Sequence, residues 1–590
     1  MPHIYIDGKR IETQSGKTII EAAYDNGLYV PHFCWHPELS VAGNCRMCLV
    51  EVGLPKRLPN GEFETDSNGN IIVSYMPKLQ IACATQVADG MHVRINHDKV
   101  IKAQEAVMEF LLINHPLDCP ICDEAGQCKL QEYAFNHSRG ESRFEETKNH
   151  KDKRVSWGPN VLFDAERCIS CSRCIRFAKE IAKQDVLSFV QRGDHVTIKV
   201  QDGAKFDNNY SMNVIDICPV GALTSPDFRF KSRVWDMSFN DSICMGCSRG
   251  CNIQIGVRNN EILRIEPKTN MYVNKYWMCD YGRLSYYKKI NENRVVSPTV
   301  KKNGTQTEVS WDEAISTAAS ILRKYKPSEM MFIGSGRSST ENNYALARFA
   351  KNVAKSVNLD FYERIEQSFA DDFLRTNDLN PNSAGCRSVG VAPTSDKFSL
   401  KKLSENITNG SIKLIYIMDE DFDLEDKYIQ ALQKAEAIII HSTNHSKLTE
   451  IADVVFASSY FAESEGTFIN IDNRVQYFEP ALVTTENLHR MGMKMSRLDK
   501  FGAANDRWTQ KELRNCRPAW KVLSLLASHF SVNFNYNKSE DVFNDIAHNV
   551  GSFNGMSYRL LKKHQGIILG KSSNPDPVLH NYESHYMKPN

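Results

Sequence analysis

The chain has 590 residues, which predicts about three or four domains. A hydrophobic fraction of 42%, a charged fraction of 24% and a net charge of +1 are typical of a soluble globular protein with no overall attraction to nucleic acid or anionic membrane. No run approaches the ~20 apolar residues of a membrane-spanning helix, and the N-terminus lacks the pattern of a signal or transit peptide. We therefore expect any membrane role to come through partners.

Cysteine is the unusual component, with 17 residues. All but Cys386 and Cys516 lie between Cys34 and Cys279, often two residues apart. Disulfide frameworks normally belong to small exported domains, so this clustering favours metal ligation. Soft thiolates at this density are typical of iron–sulfur clusters or zinc. We expect Cys386 and Cys516 to be ordinary buried thiols.

The N-terminal region predicts a strand–turn–strand–helix unit followed by a long cysteine loop. Residues 3–11 indicate a β-hairpin around Asp7-Gly8, and residues 18–26 indicate a helix that ends at Gly27. The first set comprises Cys34, Cys45, Cys48 and Cys83. This pattern resembles the β-grasp fold of plant-type ferredoxins, which bind a [2Fe–2S] cluster, although their first cysteine gap is shorter. Zinc is the alternative metal for these four residues, and residues 53–71 indicate a surface insertion.

A second group of ligands follows a predicted amphipathic helix from Asp98 to Asn114. The His–Cys set comprises His115, Cys119, Cys122 and Cys128. A neutral imidazole in place of one thiolate makes a cluster less negative, so we expect a raised reduction potential here.

Two further groups each contain four cysteines. The third set comprises Cys168, Cys171, Cys174 and Cys218. The fourth set comprises Cys244, Cys247, Cys251 and Cys279. The third spacing is typical of one [4Fe–4S] cluster closed by the distant Cys218-Pro219. The fourth set fits another [4Fe–4S] cluster, with zinc as the alternative.

Beyond residue 290 the sequence alternates between strand and helix patterns. Ser310 is expected to cap a helix with Glu313 at the capping-box position, and Gly334-Ser-Gly336 joins a strand over 330–333 to a helix over 340–355. The segments 412–418, 437–441 and 454–457 indicate strands and 424–435 a helix, which together predict a mostly parallel sheet. The full dinucleotide-binding fingerprint is absent. We expect the polar tail after Ser531 to be loosely ordered.

The four sets in this order resemble the large iron–sulfur subunit of NADH-quinone oxidoreductase, respiratory complex I. The fourth set is similar to an extra cluster of some bacterial members that mitochondrial members lack, which implies a bacterial source. The C-terminal part resembles molybdopterin oxidoreductases such as formate dehydrogenase. The segments that carry this second resemblance are Ser310-Trp-Asp-Glu-Ala, Phe332-Ile-Gly-Ser-Gly-Arg337 and Glu463-Ser-Glu-Gly-Thr-Phe-Ile-Asn470 through Arg474-Val-Gln476.

Departures from that second family argue against a molybdenum enzyme. Glu366 stands where formate dehydrogenases have a cysteine or selenocysteine ligand, and Tyr281 stands where a lysine usually follows the last cluster cysteine. The C-terminal domain is also shorter than in catalytic members, so we expect no molybdenum or pterin. The alternative is the alpha subunit of an NAD-dependent formate dehydrogenase. An iron-only hydrogenase would need a further cysteine-rich domain, and zinc in every site would imply a purely structural role.

The resemblance implies a multidomain α+β and α/β protein with one [2Fe–2S] and three [4Fe–4S] clusters and no catalytic side chains of its own. The expected domains are a [2Fe–2S] ferredoxin-like domain (1–97), a His–Cys cluster domain (98–138), a [4Fe–4S] ferredoxin-like domain (139–235), a further cluster domain (236–295) and a degenerate molybdopterin oxidoreductase-like domain (296–590). Electrons from NADH would enter through an FMN-binding partner subunit and continue toward quinone, coupled in the whole complex to proton translocation. The expected partners are this flavoprotein, a small [2Fe–2S] subunit and the quinone-module subunits, in the peripheral arm at the cytoplasmic face of the bacterial inner membrane.

Overall fold

A computed structural model of the chain describes residues 2–60, 62–418, 426–488 and 513–577. These residues form two compact units, one that ends at Trp235 and one that begins at Asp236. Within the described ranges, every helix is too short or too polar to span a membrane.

The N-terminal part of the first unit is a mixed β-sheet packed on one helix. Its elements are β1 His3–Ile6, β2 Lys9–Glu12, α1 Ile19–Asp25, β3 Leu49–Pro55, β4 Val73–Tyr75, β5 Gln80–Ile81 and β6 Met91–Arg94. The strand order is β2-β1-β6-β3-β4, with β5 paired to β3 and β1 parallel to β6. Thr18 and Glu21 form a capping box at the start of α1, and Ile20 packs in one core with Ile4 and Val93. The predicted hairpin, helix and exposed insertion after β3 are confirmed.

The rest of the first unit consists of short elements. They are α2 Asp98–Ile113, α3 Lys129–His137, β7 Val155–Ser156, β8 Leu162–Phe163, α4 Arg173–Glu180, β9 Leu187–Val190, β10 Thr197–Val200, α5 Asn213–Asp216 and β11 Leu223–Thr224. Strands β11-β8-β7 form one sheet, and β9 pairs with β10. The predicted helix α2 is confirmed, but its apolar residues are not all buried. Val100 and Met108 are buried, whereas the Phe110 side chain is 77% exposed.

The second unit begins with a three-stranded antiparallel meander that carries the fourth set. Its elements are β12 Ser238–Ile243, β13 Asn252–Arg258, β14 Glu261–Pro267 and α6 Asp280–Leu284. The loop between β12 and β13 contains three of the cysteines. The fourth, Cys279, caps α6 because its sulfur accepts a hydrogen bond from the Gly282 N–H.

A seven-stranded sheet forms the centre of the second unit. Its elements and their connections are β15 Thr299–Lys302, β16 Thr305–Glu308, α7 Trp311–Leu322, β17 Met330–Gly334, α8 Thr340–Asn352, β18 Leu359–Phe361, α9 Ser383–Ser388, α10 Leu403–Thr408, β19 Leu414–Met418, α11 Asp426–Leu432, β20 Ala437–Ser442, α12 Lys447–Ile451 and β21 Val454–Ala457. The order is β16-β15-β21-β20-β19-β17-β18, and the last five strands are parallel. Ser310 caps α7 by accepting from the Glu313 N–H. The mostly parallel sheet is therefore confirmed, while residues 424 and 425 of the predicted helix lie outside the described residues.

The expectation of a loose tail after Ser531 is wrong for the described part of that segment. The remaining elements are β22 Gly466–Ile469, β23 Arg474–Phe478, α13 Ala519–Ser528, α14 Ser539–Asn549, α15 Tyr558–His564 and β24 Ile567–Ile568. Val542, Phe543 and Ile546 recur at helical spacing on α14 and are fully buried in the core of the sheet domain. These few apolar residues order a segment whose composition is otherwise polar. Residues 578–590 of the tail lie outside the described residues.

Candidate metal centres

The first set lies in the loop after α1 and in the turn after β5. Cys34, Cys48 and Cys83 are buried, and Cys45 is half-buried. The Cys34 sulfur is hydrogen-bonded to Cys45 and Cys83, which lowers the pKa of Cys34, and Cys48 is likewise bonded to Cys83. The pKa values of Cys45 and Cys83 rise because these thiols retain their protons in the same bonds. The four thiols therefore form one hydrogen-bonded series in the order Cys45, Cys34, Cys83 and Cys48.

The His–Cys set connects the end of α2 to the start of α3. Burial raises the pKa of the Cys122 thiol, and the nearby Cys119 adds to the rise. Burial also raises the pKa of Cys128 to about 12, with a contribution from Cys122. Burial, with the cations Lys148 and Arg167 nearby, lowers the pKa of His115 to about 4, so its imidazole is neutral at physiological pH. Arg167 also lowers the pKa of the Cys122 thiol, so one guanidinium lies near both His115 and Cys122.

The third set lines one small cavity. Its walls are formed by Phe163, Cys168, Ile169, Cys171, Ser172, Arg173, Cys174, Ile198, Cys218, Val220, Ala222 and Leu223. Burial raises the pKa of Cys168 to about 12 and the pKa values of Cys174 and Cys218 well above the ordinary range. Four thiol donors thus converge on one largely apolar cavity, as a bound soft metal cluster requires.

The loop of the third set has an unusual backbone. Ser170 and Ser172 have φ values of +53° and +64°, in the left-handed region that costs a non-glycine residue about 1–2 kcal/mol. The Ser170 N–H donates to the Cys168 Sγ over 3.4 Å. The strained loop therefore holds the Ser170 amide donor against the Cys168 sulfur, which suits a negatively charged sulfur site.

The fourth set is completely buried and tightly enclosed by backbone. The Gly246 N–H donates to the Cys244 Sγ over 3.3 Å, and the Gly282 N–H donates to the Cys279 Sγ over 3.4 Å. A Cβ atom on Gly282 would lie only 2.8 Å from the Cys244 Sγ. Burial raises the pKa of Cys251 well above the ordinary range, and the other three thiols of the set add to the rise. Only glycine at residue 282 leaves room for these sulfurs.

No three His, Cys, Asp or Glu side chains among the described residues converge closely enough to hold a single metal ion.

The third set lies between the other two sets of the first unit, although it comes last of the three in the sequence. On one side, the Cys34 thiol is close enough to Cys171 to raise its pKa further, after the larger effect of burial. On the other side, a Cβ atom on Gly221 would lie 2.2 Å from the Cys122 Sγ. The Lys129 N–H also donates to the Pro219 carbonyl over 3.1 Å. The segment that closes the third set therefore packs directly on the His–Cys set.

The His–Cys set reaches the surface of the first unit. The Cys119 residue is exposed. Large exposed apolar side chains surround this set: Leu117 (89%), Ile121 (59%), Phe135 (89%), Phe230 (57%) and Trp235 (57%). Such a concentration of apolar surface marks an interaction site more often than a free surface.

Tyr281 and Glu366, the two departures from the formate dehydrogenase pattern, lie in neighbouring parts of the second unit. The Tyr281 ring is 4.9 Å from the Phe369 ring, and Phe369 follows Glu366 by three residues. Glu366 itself is exposed, and its carboxylate accepts a hydrogen bond from the Ser368 hydroxyl over 3.0 Å. Cys386 and Cys516 are fully buried, as expected.

Comparison with known families gives a consistent domain series. The matches are a 2Fe-2S iron-sulfur cluster binding domain (residues 2–98), the NADH-ubiquinone oxidoreductase-G iron-sulfur binding region (104–143), the ferredoxin-like domain of NADH-quinone oxidoreductase subunit 3 (158–224), the molybdopterin oxidoreductase Fe4S4 domain (237–291) and molybdopterin oxidoreductase (294–393 and 389–487). The predicted series of a [2Fe–2S] domain, [4Fe–4S] domains and a molybdopterin oxidoreductase-like domain is confirmed.

Similar proteins are subunits of one class of oxidoreductase. The G subunit of the NADH-quinone oxidoreductase of Rickettsia conorii is 40% identical over 357 residues, which are 60% of this chain and 50% of the relative. Subunit 3 of the Thermus thermophilus enzyme is 36% identical over 377 residues (62% and 48%), and the NADH-ubiquinone oxidoreductase 75 kDa subunit of Reclinomonas americana is 39% identical over 329 residues (56% and 44%). The match thus spans about half the length of these relatives.

Two solved structures share parts of the chain at low structural similarity. An NAD+-reducing [NiFe]-hydrogenase is 26% identical with a TM-score of 0.32 and covers 40% of this chain and 91% of its own. Acetylene hydratase from Pelobacter acetylenicus is 9% identical with a TM-score of 0.35 and covers 56% and 74%.

Proposed function

We propose that this chain, which is related to iron–sulfur subunits of NADH-quinone oxidoreductases across its cluster-binding domains, is the electron-transfer subunit of such an enzyme. The observation that carries the proposal is the direct packing of the third set against both the first set and the His–Cys set. Electron transfer requires redox centres that lie close together, whereas four independent structural metal sites need not lie close to one another.

The sixteen residues of the four sets are the proposed ligands. The first set is assigned to a [2Fe–2S] cluster and the other three sets to [4Fe–4S] clusters, which when bound supply one-electron redox chemistry. The donor chemistry fits, because each set offers four soft or imidazole donors and the third set encloses a cavity. The fourth set is assigned to a [4Fe–4S] cluster because its four thiols are buried and two backbone N–H groups donate to their sulfurs.

The protein's own contribution is to exclude water and to set local electrostatics. The amide groups of Ser170, Gly246 and Gly282 donate to ligand sulfurs and stabilise added negative charge. The neutral His115 carries no charge where a thiolate would carry one, which raises the reduction potential of its site. No acid, base or nucleophile of this chain is needed for the reaction.

The wider reaction and the partners follow from the relationship and are part of the proposal. NADH is oxidised on the FMN of a partner subunit, and the electrons leave this chain toward quinone in a reaction coupled to proton translocation. The exposed Cys119 and the apolar side chains around it make the His–Cys set suitable for exchange with a neighbouring subunit. We place the protein in the peripheral arm at the cytoplasmic face of the bacterial inner membrane, held there by its partners.

Metal analysis of the purified complex tests the assignment. The proposal expects about 14 iron atoms per chain, from one two-iron and three four-iron clusters, and several distinct paramagnetic signals on anaerobic reduction. Zinc without iron would refute it. Stoichiometric molybdenum or tungsten would instead indicate a formate dehydrogenase.

A further inference from the structure

Helix α4 connects the first and third sets through one face of polar side chains. Arg173, Arg176 and Glu180 are three and four residues apart, so they lie on the same side of the helix. The same short helix also carries Cys174, a ligand of the third set.

Arg173 joins the two sets through their neighbouring backbone. Its guanidinium donates to the carbonyl of Ile217 over 3.0 Å, directly before Cys218, and to the carbonyl of Trp35, directly after Cys34. One planar guanidinium with two hydrogen bonds spans roughly 8 Å at most, so these two carbonyls lie within that distance. The Arg173 side chain is only 2% exposed.

Arg176 makes a second bridge one turn along the helix. Its guanidinium donates to the Cys34 carbonyl over 2.5 Å and to the Cys171 carbonyl over 3.5 Å. It also donates to the Ser40 carbonyl in the loop of the first set. A single side chain therefore contacts the backbone of one proposed ligand from each set.

Two further contacts close the connection. The Glu180 carboxylate accepts from the Ser40 N–H over 2.9 Å, and the Asn44 side chain donates to the Ser170 carbonyl over 3.0 Å. Arginine suits this task better than lysine, because its rigid fork can satisfy two carbonyls in fixed geometry while keeping its charge when buried.

We propose that Arg173 and Arg176 are positioning residues that fix the separation of the first and third sets, and that their positive charges raise the reduction potentials of both sites. The inference rests on the proposed function. A cation in a low-dielectric region stabilises the more negative, reduced form of a nearby centre. Fixed separation matters because electron transfer slows steeply with distance.

Substitutions in the intact complex separate charge from geometry. Arg176→Gln removes the charge and the fork, whereas Arg173→Lys and Arg176→Lys keep the charge and lose the fork. Lys179→Gln is the matched control, since it removes an equal charge from an exposed side chain of the same helix. Midpoint potentials of the two paramagnetic signals, and the rate of electron redistribution between them after rapid reduction, are measured together with iron content.

The glutamine variant is expected to lower the ratio of reduced to oxidised centres at both sites about tenfold at a fixed potential, which is ~59 mV for a one-electron centre. The lysine variants should keep both potentials and slow the redistribution at least tenfold. Potentials and rates equal to those of the control would overturn the proposal. If Arg176→Gln loses iron, the lysine variants decide alone, and unchanged redistribution in both overturns the positioning role. Absence of both signals in the unsubstituted complex would instead refute the proposed function.

Discussion

Replacing Gly282 with alanine perturbs the fourth set at the closest approach between backbone and sulfur. The added Cβ atom would lie 2.8 Å from the Cys244 Sγ, 2.9 Å from the Met278 Cε and 3.6 Å from the Cys279 Sγ. The methionine tip can move aside. The Cys244 sulfur cannot do so without leaving its position relative to the other ligands.

Two opposing effects decide the sign of the change in stability. Residue 282 lies in α6, and in a helix alanine is favoured over glycine by about 1 kcal/mol. Overpacking of a tight interior costs about 1–3 kcal/mol. Because α6 has only five residues and the contact is with a proposed ligand, we expect overpacking to prevail, with a net loss of up to about 2 kcal/mol and loss of the cluster.

Iron analysis gives the decisive measurement. The Gly282→Ala variant should contain about 10 rather than about 14 iron atoms per chain and lose one paramagnetic signal, because one four-iron cluster is absent. Gly551→Ala is the control, since a Cβ there would meet no atom within 4 Å. Full iron content with an unchanged spectrum would refute the reasoning about the fourth set.

Three further outcomes follow from the site and the core. His115→Cys should retain iron and lower the potential of its site, because a thiolate adds negative charge; an unchanged potential, measured by redox titration, would argue that His115 is not a ligand. Gly221→Ala should remove iron from the His–Cys set, since its Cβ would lie 2.2 Å from the Cys122 Sγ, and retention of every paramagnetic signal would contradict this. Burial raises the pKa of Glu341 from 4.5 to about 7, although the Thr467 N–H donates to its carboxylate. The folded state therefore holds this proton more tightly, and a stabilisation of up to about 3 kcal/mol present at low pH is lost between about pH 4.5 and 7. Glu341→Gln should flatten that part of the unfolding free energy–pH curve, and a curve identical to that of the unsubstituted protein would count against it.

The local chemistry of the chain could be predicted from its sequence because it depends on short spacings. The Asp7-Gly8 turn, the Ser310 cap and the alternation around the parallel sheet each involve residues a few positions apart. The cysteine sets are likewise predicted from their spacing, and their assignment as cluster ligands stays a prediction.

Long-range features could not be predicted in this way. The position of the third set between the other two depends on packing between Cys122 and Gly221, which are far apart in the chain. The prediction for the tail after Ser531 is wrong because the polar average of this segment conceals the apolar stripe of Val542, Phe543 and Ile546. No sequence pattern indicates a role for Gly282 or Arg173, because each acts through contact with a residue that is distant in the chain.

The segment from Cys218 to Gly221 has a consequence for the maturation of the newly made chain. Synthesis runs from the N-terminus, so the ligands of the first set and the His–Cys set emerge before Cys218 does. The same segment completes the middle site and packs on Cys122. The third set and its contact with Cys122 can therefore form only once the ribosome has passed this segment, and a chain that stops short of it lacks the fourth residue of the third set.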